Sequence, residues 1–372
     1  MLFHQDNSPP IFTRNDLTLV FEPPVPAAIT SEEASDIWCA AVLCHAANKC
    51  RSVQITGGLN ERQQHFWLDY LRRLKGTSDV SFVTALGTGQ RAGTEGSSGD
   101  EGSGGLESGR LGLLFGGGVE SLTALSLTLH LKPVLLSLHG PMWMNNDYSV
   151  YPLKRKLEDQ LAQSYNLQIV RVWHDLRPLV DESDQYVNRW ITGAFMYYCF
   201  VPQMRELNIH LVLQAMELEY SLVSDQYDRS IHPRFIVNVA RTPLPPVLSV
   251  LNAVPKVELL DMLYSSNTKL CSYIYSCFRN SERRWCGECG KCRRISAFCN
   301  AVGVPPSRIG MREGIPHIPE TGELTSLYWR SLDSYLARRG GGTTFDDSRR
   351  PVGPSITGVA RLARALRRRF HH

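Results

Sequence analysis

Long apolar runs are missing. Nowhere in the 372 residues do about eighteen apolar residues follow one another, so no segment is expected to span a bilayer as a helix. Internal repeats are missing too, which sets aside the repeat architectures. The opening Met1-Leu2-Phe3-His4-Gln5-Asp6 has neither a charged n-region nor an apolar h-region, so secretion is not expected. Ten cysteines are present, but a chain this long and core-rich does not need disulfide staples. Their tight packing late in the chain favours metal over bridges, and a reducing cytoplasm is the expected location. The body also lacks positive charge. Residues 338–372 hold nine Arg and two Asp, so the net +4 of the chain leaves about −3 for everything before them. The basic character therefore belongs to the tail and is no argument that the folded body binds nucleic acid.

What is present is ordinary for a globular protein, with 43% apolar and 20% charged residues over a length that suits two domains. Residues 1–29 are Pro-rich and read as an irregular or extended lead-in. Thr30-Ser31-Glu32-Glu33 reads as a capping box that opens a helix through Ile37, Ala40, Ala41, Cys44 and Ala47. Val53-Gln54-Ile55 fits a strand, 61–74 an amphipathic helix, and 80–83 another strand. These define a small α/β N-terminal domain, 1–86. Residues 87–110 contain nine Gly among Ser, Glu and Thr, and read as a flexible linker. From 111 the pattern alternates: strands at 111–115, 134–138, 167–173 and 210–215, helices at 120–131, 153–165 and 186–207. Such alternation predicts a parallel, doubly wound sheet over 111–310, with ligands at the carboxyl ends of its strands. Residues 311–372 read as a last helix, 324–339, and an Arg-rich tail, most simply a solvated segment.

Phe115-Gly116-Gly117-Gly118-Val119-Glu120-Ser121 joins the first strand of that sheet to its first helix. Three glycines let the chain turn sharply, and the helix start that follows offers free amides to an anion. A Walker A loop would need Gly-Lys-Ser/Thr, and no Lys follows. A dinucleotide fingerprint would need Gly where Ser121 stands and an acid after the second strand, which instead ends Leu138-His139-Gly140. A plain strand–helix turn is the alternative.

Cys277, Cys286, Cys289 and Cys292 follow the spacing C-x8-C-x2-C-x2-C, which suits one tetrahedral Zn²⁺ in a closed, structural site. Arg283, Arg284, Lys291, Arg293 and Arg294 surround the motif and would offset the charge of four thiolates. A redox C-x2-C pair and four buried free thiols are the alternatives. Cys271 lies six residues before Cys277 and is set aside on spacing. Cys39, Cys44, Cys50, Cys199 and Cys299 sit among apolar residues and read as core.

The glycine loop resembles the PP-loop, S-G-G-x-D-S, of the N-type ATP pyrophosphatases, which hold a HUP-type (adenine nucleotide α-hydrolase-like) sheet. The matching positions are Gly116, Gly117, Gly118, Val119, Glu120 and Ser121. Gly116 replaces the family's Ser and removes a hydroxyl donor; Glu120 replaces Asp and keeps the charge on a longer arm. With the cysteine cluster, residues 111–300 resemble the zinc-containing branch of that superfamily, which includes 7-cyano-7-deazaguanine synthase and the ATP-dependent UDP-MurNAc-L-Ala-L-Glu epimerase. The run from Ser276 to Cys292 looks most like the epimerase, whose loop has Lys-Asp where this chain has Val119-Glu120. Residues 1–110 and 311–372 carry no resemblance.

The resemblance implies ATP held at Gly116–Ser121, with Mg²⁺ neutralising the pyrophosphate that leaves. Glu120, Ser121 and Glu217 are the expected catalytic residues. Ser137 and His139 are expected to meet the adenosine, and Glu217 and Glu219 to stand near the cleft with Asp228 and Arg229. The expected reaction adenylates a carboxylate or carbonyl oxygen of a small metabolite or peptide. Epimerisation, amidation or nitrile formation would follow, with the epimerase slightly favoured. Thiolation is disfavoured because the obvious cysteines are committed to metal. The rival is a zinc-stabilised, non-catalytic nucleotide- or RNA-binding protein with a degenerate loop, using the Arg tail.

Overall fold

A computed structural model describes residues 2–4, 11–14, 17–23, 28–49, 53–56, 59–75, 80–83, 109–140, 151–175, 194–219, 244–277, 284–315 and 323–340. The expectations for Asp228 and Arg229, for residues 87–108 of the linker and for the tail beyond 340 lie outside these residues. So does Cys50, as does the side chain of Cys44.

The chain is α/β. One sheet has eight strands: β1 (Leu2–His4), β2 (Ile11–Arg14), β3 (Leu17–Glu22), β6 (Arg110–Leu114), β7 (Val134–His139), β8 (Ile169–Asp175), β9 (Ile209–Ala215) and β10 (Val247–Val250). Their spatial order is β1-β2-β3-β8-β7-β6-β9-β10. From β8 to β10 all neighbours are parallel, while β1, β2 and β3 add on antiparallel beside β8. The strands β4 (Val53–Thr56) and β5 (Val80–Val83) form a separate parallel pair.

Helices cover both faces of the large sheet. Successive residues of a strand point to opposite faces, and the core divides accordingly. Leu114, Leu136, Val172 and Val212 pack with residues of α1 (Ser31–Lys49), α2 (Glu61–Lys75) and α5 (Val201–Glu206). Leu113, Leu135 and Leu213 pack with α3 (Val119–Thr128), α4 (Tyr151–Tyr165), α6 (Lys256–Ser266), α7 (Gly290–Val302) and α8 (Glu323–Gly340). Within the parallel part, chain order reverses between β6 and β9. The carboxyl ends of these two neighbours border a topological switch point, where ligands of open α/β sheets collect. The loop Phe115–Gly118 leaves β6 there, and Met216-Glu217 leave β9.

Several expectations need correction. Of residues 1–29, expected to be irregular or extended, Leu2–His4, Ile11–Arg14 and Leu17–Glu22 are sheet strands, and β3 pairs with β8 from Thr18↔Asp175 to Glu22↔Arg171. The Trp67 and Tyr198 rings lie 5.1 Å apart, and residues of α1 and α2 share one core cluster with residues of 194–212. The helix expected over 186–207 is not continuous in its described part. Met196–Tyr198 ends at a turn, and α5 begins at Val201 with Pro202 in its first turn, because proline suits a helix start and not a helix interior. The capping box is present: Thr30 N–H donates to Glu33 Oε2 (2.8 Å) and Glu33 N–H to Thr30 Oγ1 (3.1 Å). Among the described residues no helix is long and apolar enough to cross a membrane.

Candidate functional site

The glycine loop turns on Gly117, whose φ of +72° lies in the left-handed region that glycine adopts without strain. Its carbonyl accepts the Tyr275 N–H at 2.7 Å. Gly118 then caps α3 with no side chain to occupy the helix's free amides. Gly116 is exposed, and a Cβ there would meet nothing within 4 Å. Ser121 is buried, and its hydroxyl donates back to the Gly118 carbonyl at 3.2 Å.

Charged and polar groups from several elements meet at this helix start. Lys256, at the beginning of α6, forms an ion pair with Glu120, and its ammonium lies 3.6 Å from Glu217 Oε1. Tyr328 of α8 donates its hydroxyl to Glu217. The Arg294 guanidinium stacks over the Tyr328 ring at 4.3 Å, and Lys256 lies 5.5 Å from the same ring. Burial opposes ionisation of Glu120, yet Lys256 outweighs it and holds the carboxyl well below the usual range. Glu217 goes the other way: burial, together with Glu120 beside it, pushes its carboxyl up against the pull of Lys256. Burial, and then Lys256, push Lys291 down to about 7. Glu219 does not join this cluster. It accepts the Lys256 backbone N–H at 3.1 and 3.3 Å and so caps α6, and burial pushes it up to about 7.

The cysteines stand beside the loop. The sulfurs of Cys277, Cys286, Cys289 and Cys292 all lie within 4.8 Å of one another, with Cys286–Cys292 at 3.7 Å and Cys289–Cys292 at 3.5 Å. Tetrahedral Zn²⁺ with bonds of about 2.3 Å sets sulfurs roughly 3.8 Å apart, so the donor set fits that ion. Backbone N–H groups of Cys286, Glu288 and Cys289 point at Cys277 and Cys286 sulfurs at 3.3–3.4 Å, as thiolate acceptors require. Gly287, at φ +80°, makes the tight turn beneath. Cys271 is buried apart from the group, and Cys39, Cys199 and Cys299 are buried core thiols. Cys277, Cys286, Cys289 and Cys292 could together hold one metal ion, and none of these is then left as a nucleophile.

Ser137 and His139 are turned into α4. The Ser137 hydroxyl donates to Glu158 Oε1 at 2.5 Å, and His139 Nε2 lies 3.0 Å from Glu158 Oε2. Arg171 donates to the same carboxylate at 2.9 Å, and Lys154 lies 3.6 Å from it. Burial, and then Lys154, push His139 down to about 4. Both residues thus belong to a buried polar network at the carboxyl end of β7.

The sequence reading missed Lys256 and Tyr328, and assigned Lys291 and Arg294 only to the thiolates. A lone Lys and a lone Tyr carry no local pattern. Only the packing of α6 against α3, and of α8 against α6 and α7, reveals them. No protein-family model, no curated protein and no solved structure matches the chain.

Proposed function

We propose that the chain is an ATP-dependent adenylating enzyme of the PP-loop type, built on a doubly wound HUP-like sheet. The observation that carries this reading is the convergence at the switch point. A side-chain-free loop and the amino end of α3 meet Lys256, Glu120 and Glu217 there, and Tyr275 N–H joins the loop to the cysteine module. The parallel-strand order fits as well, since β8-β7-β6-β9-β10 is the 3-2-1-4-5 order of dinucleotide-type folds.

In this reading the free amides of α3 receive the terminal phosphates of ATP. Lys256 supplies positive charge to them on exchange from Glu120, and Glu120 and Glu217 are the carboxylates available to Mg²⁺, which would neutralise the leaving pyrophosphate. The acceptor is a carboxylate or carbonyl oxygen that attacks the α-phosphate. Its bond to that phosphorus forms as the bond to the bridging oxygen of pyrophosphate breaks. A Zn²⁺ held by Cys277, Cys286, Cys289 and Cys292 would be structural and would keep the cysteine module closed. The second reading, a nucleotide- or RNA-binding protein without turnover, draws on Gly116 and on the saturation of Glu120 by Lys256.

Incubation of the full chain with ATP, Mg²⁺ and a pool of small metabolites separates the two. AMP with pyrophosphate supports adenylation. ADP, or no turnover with any pool, sinks it.

A further inference from the structure

Ser276 brings a hydroxyl to the glycine loop from a distant part of the chain. It lies half-buried between Tyr275, whose N–H donates to the Gly117 carbonyl at 2.7 Å, and Cys277 of the metal cluster. Its Oγ is 3.6 Å from the point where a Cβ on Gly118 would sit, and Glu120 Oε2 is 2.6 Å from that same point. Among the described residues the Ser276 hydroxyl makes no hydrogen bond. Nearby donors are consumed: the Ser121 hydroxyl goes back to the Gly118 carbonyl, and the Lys256 ammonium to Glu120. The site is more than a helix end, because Lys256 and the buried Glu217 come from two other places in the chain to form one charged cluster with Glu120, whose carboxylate lies at that same point. The loop meanwhile has no hydroxyl of its own at Gly116, where the backbone leaves open space.

We propose that Ser276 binds the terminal phosphates of a nucleoside triphosphate, and that its hydroxyl takes the place of the one absent at Gly116. This rests on the nucleotide reading above. The strap 274–277 makes the arrangement possible. Arg284 Nε holds the Ile274 carbonyl at 2.6 Å, Gly117 holds Tyr275, and the Cys286 N–H holds the Cys277 sulfur at 3.3 Å. Three anchors in four residues fix where the Ser276 side chain starts. The four-cysteine cluster thereby places a ligand-binding hydroxyl as well as closing the fold.

The test uses full-length protein with its zinc content measured, titrated calorimetrically with a non-hydrolysable ATP analogue and separately with inorganic pyrophosphate. Ser276→Ala removes one hydrogen bond to a charged ligand and is expected to weaken both by tenfold or more at unchanged zinc content. Gly116→Ser meets no neighbour and is expected to restore most of the loss in the double variant. Ser276→Ala binding as tightly as the parent overturns the inference and leaves the nucleotide reading standing. A loss that Gly116→Ser does not repair overturns the exchange of roles between the two positions. Parent protein that carries zinc but binds neither probe overturns the inference and the reading together.

Discussion

Replacing Lys256 with Met tests the charge cluster most severely. The Lys256 ammonium serves Glu120 directly and stands 3.6 Å from Glu217, in a setting where side-chain exposure is 12%, 15% and 9% for the three residues. Two unit charges at that separation interact by about 4–5 kcal/mol at an effective dielectric constant near 20. Removing one partner of a buried pair costs about 3–5 kcal/mol, because the orphaned charge stays desolvated. Lys256→Met is therefore expected to lower unfolding free energy by about 3–5 kcal/mol in urea titrations at neutral pH. Glu120→Gln in the same chain removes the orphan and should recover part of that loss, so the double-mutant cycle must be non-additive. The pH dependence follows from Glu120, whose folded pKa lies below its ordinary value. Its stabilisation is full above the unfolded carboxylate pKa and disappears as the pH falls through the folded one. The parent should lose this contribution on acidification below about 4.5, and Lys256→Met should not. A loss under about 1 kcal/mol, or strict additivity with Glu120→Gln, would refute the claim that the three charges form one buried unit.

Cys289→Ser should abolish stoichiometric zinc and destabilise the fold; about one zinc per chain by elemental analysis is expected in the parent, and retention of that zinc in the variant would sink the four-thiolate site. Gly117→Ala forces a side chain into φ +72° and is expected to cost about 1–2 kcal/mol in denaturant titrations, whereas Gly116→Ala, in open space, should cost well under 1. Glu219 is an acid whose folded pKa, about 7, exceeds its ordinary 4.5, so its burial weakens the fold as the pH rises from 4.5 through 7. Glu219→Gln keeps an oxygen for the Lys256 N–H and should be more favourable to stability at pH 8 than at pH 5; equal effects at both would contradict the assignment. Tyr328→Phe removes the hydroxyl donated to Glu217 and should cost about 1–3 kcal/mol, read by chemical denaturation.

The parallel strands and the cysteine cluster were legible because each is written locally. β6 and β7 are short apolar runs that end at glycine or at a polar turn, and metal spacing survives without any knowledge of the fold. The capping box at Thr30 is of the same kind. What escaped depends on distance along the chain. β3 joins β8 by antiparallel pairing across about 150 residues, which no pattern within a Pro-rich start can announce. The break near Phe200 was readable from Pro202, but the apolar run around it argued for one helix. Ser137 and His139 were rightly read as the end of a strand, yet pleat alternation turned them toward α4, where Glu158 waits 19–21 residues on. The charged cluster was the least legible part. Glu120, Glu217, Lys256 and Tyr328 come from four separate segments, and only tertiary packing makes them neighbours.

The central claim is that an acceptor oxygen attacks the α-phosphate of ATP and releases pyrophosphate. Isotope exchange measures that step in reverse. Full-length zinc-loaded protein, ATP, Mg²⁺ and a pool of small carboxylates, supplied with labelled pyrophosphate, should return label into ATP, and only when the acceptor pool is present. Nucleotide bound with no exchange from any pool, or label-free ATP alongside accumulating ADP, would contradict the account.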